Sequence, residues 1–197
     1  DLTGGVSNVA LGYSCLSALA TGARNIGIGY NVMDSAAGAT SDNIAIGYDA
    51  MGNLNHSSAT RNIAIGNYAG DGMGTAAGHV DNIFLGYEAG TGTWDAYSAF
   101  NIGVGSHALA GAMTGAIGNI AVGYMALNAA TTGDSNTAVG FQAGLVLVGG
   151  SSNVIIGGYA GDATTDVDKT VIIGEYAGSA NMTSDADGTV AIGRNAG

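Results

Sequence analysis

The stretch Asn43-Ile44-Ala45-Ile46-Gly47-Tyr48-Asp49-Ala50-Met51 decides the fold, because the same nine-residue sentence recurs from one end of the chain to the other. Counted from its first residue, copies begin at Asn8, Asn25, Asn43, Asn62, Asn82, Asn101, Asn119, Asn136, Asn153, Thr170 and Thr189. Eleven copies 17 to 20 residues apart are the signature of a solenoid, in which each repeat forms one coil and buries its apolar side chains against its neighbours.

Within each copy, the residues one and three after the anchor are aliphatic almost throughout, as in Ile26 and Ile28 or Ile120 and Val122. Period-two alternation with β-branched chemistry predicts a short strand, and stacked copies pair in parallel. At about 4.8 Å per coil, eleven coils make a rod roughly 50 Å long. Four after the anchor is a glycine in every copy, Gly12 through Gly193. Either the backbone takes a φ that only glycine tolerates, or another backbone approaches too closely for a Cβ. Seven after it is nearly always alanine, a tight inward corner. Eight after it is either Leu or Met, sent into the core, or glycine, turning the chain away. The anchors Asn8, Asn25, Asn43, Asn62, Asn82, Asn101, Asn119, Asn136 and Asn153 are expected to stack as an amide ladder that fixes register between coils.

The residue between the two aliphatics is small or apolar in all eleven copies. A strand apolar on both faces is covered on both faces. The expectation is therefore that the aliphatics fill the coil. The intervening residues, among them Ala45, Ala64, Phe84, Ala121, Ala138, Ile155 and Ile172, then form an outward stripe packed against another copy of the chain. The fold class expected is all-β, a parallel β-solenoid (β-helix or β-roll) of about eleven coils. Residues 1–197 are expected to form one repeat body, and a start without Met and a stop inside a repeat suit a mature product or a segment of a longer fibre.

Fifteen acidic against four basic residues, a formal charge of −11, argue against nucleic acid as a partner. The 38 residues from Ala96 to Gly133 hold no Asp, Glu, Lys or Arg, yet Asn101, His107, Asn119 and several glycines keep the repeat register, so membrane insertion is not expected. Cys15 replaces a repeat alanine and reads as a small buried hydrophobe. No cofactor is implied. No catalytic residue stands out, because phosphate-cradling, nucleotide-binding and nucleophile-elbow motifs are all missing. His56, His79 and His107 lie in different coils, without zinc-ligand spacing. Asp166 and Asp168 with Asp185 and Asp187 are stacked pairs that calcium could bridge, weighed against a solvated acidic edge. Variable loops between repeats are the place for recognition, and His79, Trp94 and Tyr97 are the candidate receptor contacts. The tyrosines after the corner glycine suit either a sugar platform or a stack of rings.

The sentence Asn-x-Ala-Ile-Gly-Tyr-x-Ala-Leu/Gly resembles the repeats of bacteriophage tail-fibre proteins. It is carried here by Asn119-Ile-Ala-Val-Gly-Tyr-Met-Ala-Leu127 with Thr132-Gly133 and by Asn136-Thr-Ala-Val-Gly-Phe-Gln-Ala-Gly144. It is also similar to the shorter head repeats of trimeric autotransporter adhesins. The resemblance spans essentially the whole chain and implies a non-enzymatic homotrimeric fibre on a virion tail that presents loops to a host cell-surface glycan or protein. The alternatives are a bacterial surface adhesin head or extracellular filament, and, from another class, a polysaccharide-degrading tailspike.

Overall fold

A computed structural model of the chain describes residues 5–36, 39–74, 78–94 and 96–197. Its eleven strands are β1 (Val9–Leu11), β2 (Ile26–Ile28), β3 (Ile44–Ile46), β4 (Ile63–Ile65), β5 (Ile83–Leu85), β6 (Ile102–Val104), β7 (Ile120–Val122), β8 (Thr137–Val139), β9 (Val154–Ile156), β10 (Val171–Ile173) and β11 (Val190–Ile192). All are three residues long. They form one parallel sheet in chain order, each strand pairing with the next in strict repeat register, Ile44 opposite Ile63 and Ala45 opposite Ala64. One coil separates each strand from the next, so the fold is the parallel β-solenoid that the repeat predicts. Among the described residues the sole helical element is a 3-10 turn, Ser184–Ala186, and no helix is long and apolar enough to cross a membrane.

The corner glycine satisfies both reasons proposed for it. Its φ lies between 127° and 141° in all eleven copies, a region closed to side chains. In the ten copies that have a following coil, an added Cβ would land within the carbonyl group of that coil's own corner glycine. Its N–H stays in the ladder: Gly47 N donates to the Ile28 carbonyl at 2.9 Å. The backbone is also left-handed at position eight in its Leu and Met copies, with φ of 47° to 54° at Leu16, Met33, Met51, Leu109 and Leu127. Each such turn costs roughly 1 kcal/mol, which burial of a large aliphatic side chain, worth roughly 2 kcal/mol, offsets.

The two strand faces are the reverse of the sequence expectation. Ala45, Ala64, Phe84, Ala121, Ala138, Ile155 and Ile172 are all fully buried inside the single chain, so they are core and not a subunit seam. The isoleucines and valines on either side of them point outward and are half-buried or exposed. The alternation is as predicted, but its sign was set by room. The coil interior also receives the position-seven alanines, the position-eight Leu and Met and a third column including Leu19, Leu54, Trp94 and Leu147. That leaves mostly alanine-sized space behind the strand.

Where the strand does send a large side chain inward, position eight gives way. Phe84 is matched by Gly90, where a Cβ would sit 2.6 Å from the Phe84 ring, and Ile172 by Gly178, where it would sit 3.1 Å from the Ile172 side chain. The coils with Ala45 or Ala121 carry Met51 or Leu127 instead. In these coils the choice at position eight exchanges core volume, as close packing demands; Ala64 with Gly70 and Ala138 with Gly144 are both small, and there a Cβ at the glycine would meet Met73 at 2.9 Å and Leu127 at 3.0 Å.

Candidate interaction surface

Outside the sheet, the first and third residues of eleven strands give twenty-two outward positions, all aliphatic except Thr137. Ile65 is 40% exposed and Val9, Leu11, Val190 and Ile192 more so, on a face that is continuous because the strands are in register. With strands about 10 Å long stacked over roughly 48 Å, this face covers about 500 Å².

Just past the corner glycine runs a second continuous feature. Tyr13, Tyr30, Tyr48, Tyr68, Tyr87, His107, Tyr124, Phe141, Tyr159 and Tyr176 form one ladder of ten rings, with neighbouring centroids 4.9 to 6.2 Å apart. In four of the five coils where position five lacks a ring (Asn67, Ser106, Gly158, Glu175), position six supplies it; the last coil, with Arg194 and Asn195, has none. Most of the rings are stacked or edge-on to one another, so their faces meet neighbouring rings, which disfavours a sugar platform. His107 joins the ladder and pairs its Nδ1 with Glu88 Oε2 at 3.1 Å.

The opposite rim of the aliphatic face, one residue before each anchor, is polar in most coils. Arg24 binds Asp42 and Arg61 binds Asp81 through two nitrogens each, coil to coil, holding both carboxyls below their usual range. At Phe100 this rim turns apolar: Phe100 and Tyr97 are exposed, as is Ile117, which bridges to Ala99.

The asparagine ladder lies at the start of each strand, inside. Asn82 Oδ1 accepts from Asn101 N at 3.0 Å and from Asn101 Nδ2 at 3.1 Å, while Asn82 Nδ2 donates to Asn62 Oδ1 and to the Ser98 carbonyl. The same pattern runs from Asn8 through Asn25, Asn43, Asn62, Asn82, Asn101, Asn119, Asn136 and Asn153. At the last rung Thr170 offers its N–H and hydroxyl to Asn153 Oδ1. These amides are saturated and buried, which makes them structural.

Of the three candidate receptor residues, only Tyr97 is on the surface, 46% exposed. His79 and Trp94 are completely buried and cannot touch a receptor. Their loops are long because they fill the core, a signal the sequence carried in the size of the side chains themselves.

Of the acidic pairs, Asp168 accepts the Ser151 N–H at 2.7 Å and Asp187 accepts the Asp168 N–H at 2.8 Å. With Asp134 accepting from Ile117 N and Ser151 from Asp134 N, they form a second polar ladder two residues before the anchors. Among the described residues, no three His, Cys, Asp or Glu side chains are grouped to hold a metal.

A depression of about 230 Å³ is lined by Asp34, Ser35, Asp49, Gly52, Asn53 and Asp71. Burial, with the charge of Asp49 added, pushes the Asp34 and Asp71 carboxyls up, while Asp71 accepts from Asn53 N and Nδ2. The site repels anions. Cys15 is half-buried, and burial raises its thiol, which suits a packing role.

Compared with known protein families, curated proteins and solved structures, the chain gives no match.

Proposed function

We propose that the chain is a structural and adhesive fibre segment, of the phage tail-fibre or bacterial surface-adhesin kind. In this reading it assembles as a parallel homotrimer whose seam is the aliphatic strand face and not the alanine side. The observation that carries it is the outward face of twenty-two positions with a single polar residue. The flanking ring ladder extends this face of about 500 Å², a contiguous apolar surface of the size that in soluble chains marks an interaction site. Three rods packed on that face would present their loops outward, and avidity would multiply weak contacts to a host glycan or protein. The contact surface on this reading is the apolar break in the polar rim at Tyr97, Phe100 and Ile117.

The test is sedimentation equilibrium or native mass measurement on the wild type and on Ile46→Asp and Val122→Asp. The wild type is expected as a trimer and the variants as folded, shorter-lived or monomeric species. A wild-type monomer at micromolar concentration sinks the proposal. Incubation with host polysaccharide, with chain length read afterwards, separates it from a depolymerising spike, which would shorten the polymer.

A further inference from the structure

The step from Asn62 to Asn82 is 20 residues, against 17 in the coils between Asn119 and Thr170. This wide part of the solenoid holds three large rings. His79 lies edge-on to Trp94 at 5.5 Å and 87°, and Trp94 lies edge-on to Phe84 at 5.2 Å and 88°; all three are fully buried. Among the described residues, no group meets either ring nitrogen of His79 or the indole Nε1 of Trp94 at full hydrogen-bond geometry, although the backbone of Ser98 and Trp94 lies close to the His79 ring. The positions equivalent to His79, three before the anchor, are Thr40, Ala59, Ser98, Ala116, Gly133 and Val167 in other coils, none of them titratable.

We propose that His79 makes the coil around Trp94 an acid-sensitive joint: a proton on its ring opens this coil locally while the narrow coils beyond Asn119 stay closed. The opening arises because an imidazolium fully buried beside the Trp94 ring is cut off from solvent and, among the described residues, has no carboxylate beside it. Burial pulls the imidazole down from 6.5 to about 4. The backbone of Ser98 and Trp94 offsets a little of this and His56, from the preceding coil, adds to it. Among the described residues no carboxylate acts on the ring, and Arg61 and Asp81 on the nearby rim are bound to each other. The opened coil protonates near the ordinary histidine value and the closed coil near 4. The closed form therefore keeps its full advantage above pH 6.5, loses it progressively as pH falls towards 4, and loses nothing further below. A span of 2.5 pH units favours the open form by about 300-fold.

Hydrogen exchange read by mass spectrometry, corrected for the intrinsic pH dependence of exchange, tests this on the whole chain. Protection of peptides covering residues 78–100 is expected to fall about 100-fold between pH 7 and pH 4, while peptides covering 119–170 change several-fold at most. In His79→Phe and His79→Gln the pH dependence at 78–100 should vanish, whatever their absolute stability. Flat protection in the wild type overturns the proposal. So does an equal fall in both variants, which would assign it to carboxylates, or an equal fall in both regions, which would mean global unfolding. None of these readings depends on oligomeric state, which the sedimentation experiment reads separately.

Discussion

The coils between Asn62 and Asn119 and those between Asn119 and Thr170 are written in the same repeat sentence but solve the same packing problem differently. The first group spends 18 to 20 residues per turn and fills itself with Phe84, Trp94 and His79. Its backbone two residues before the anchors pairs as β-bridges, Thr60 to Val80, Val80 to Ala99 and Ala99 to Ile117. The second group uses 17 residues per turn, closes around Ala130 and Leu147, and replaces those bridges with the Asp134, Ser151 and Asp168 side-chain ladder. Coil length follows core volume. Once the chain tightens, the backbone amides before the anchor are capped by side chains rather than by a neighbouring strand, because buried N–H groups must be paired one way or the other.

Corner glycines should ignore this difference, and substituting them is the largest perturbation expected. Gly86→Ala in the wide group and Gly140→Ala in the narrow one each place a Cβ into a backbone carbonyl at a φ near 140°. Each is expected to cost about 5 kcal/mol, combining strain and overlap. Chemical denaturation should show equal losses, and a tolerated substitution in either group would break the equivalence.

Core volume should separate the groups. Phe84→Ala is expected to destabilise by about 3–4 kcal/mol. Adding Gly90→Leu should recover part of that, since Leu109 and Leu127 already occupy the equivalent left-handed position. Ala138→Phe in the narrow group should cost about 2–3 kcal/mol by overpacking. A double-mutant cycle on Phe84 and Gly90 that shows no coupling would remove the volume-exchange rule.

The smallest effect sharpens the comparison at the coil edge. Asp168→Ala leaves the Ser151 N–H without its acceptor and should cost about 1–2 kcal/mol. Val80→Thr, at the equivalent bridged and half-buried position, should change stability by less than about 1 kcal/mol. Thermal melts of the two variants give the difference directly.

Much of the architecture was readable from residue spacing. Asn43-Ile44-Ala45-Ile46-Gly47 already contains a strand, its alternation, a corner and a ladder residue, because a repeat forces each local preference to be satisfied in the same way in every coil. The ring ladder was half visible. Six copies carry it at position five, and its continuity through Tyr68, His107, Tyr159 and Tyr176 needed positions five and six to be read together. The candidate site was less legible. His79 and Trp94 looked like loop residues because their coils are long, yet the extra length exists to bring them inside.

By itself, the sequence determined the period, the parallel register and the glycine corners, since alternation and invariance are properties of the chain. Only the tertiary structure decided which strand face is interior. With apolar residues on both sides of every strand, hydrophobicity gave no preference. The choice fell to volume: the narrow space behind the sheet admits alanine in most coils, so the isoleucines and valines were left to form the outer face.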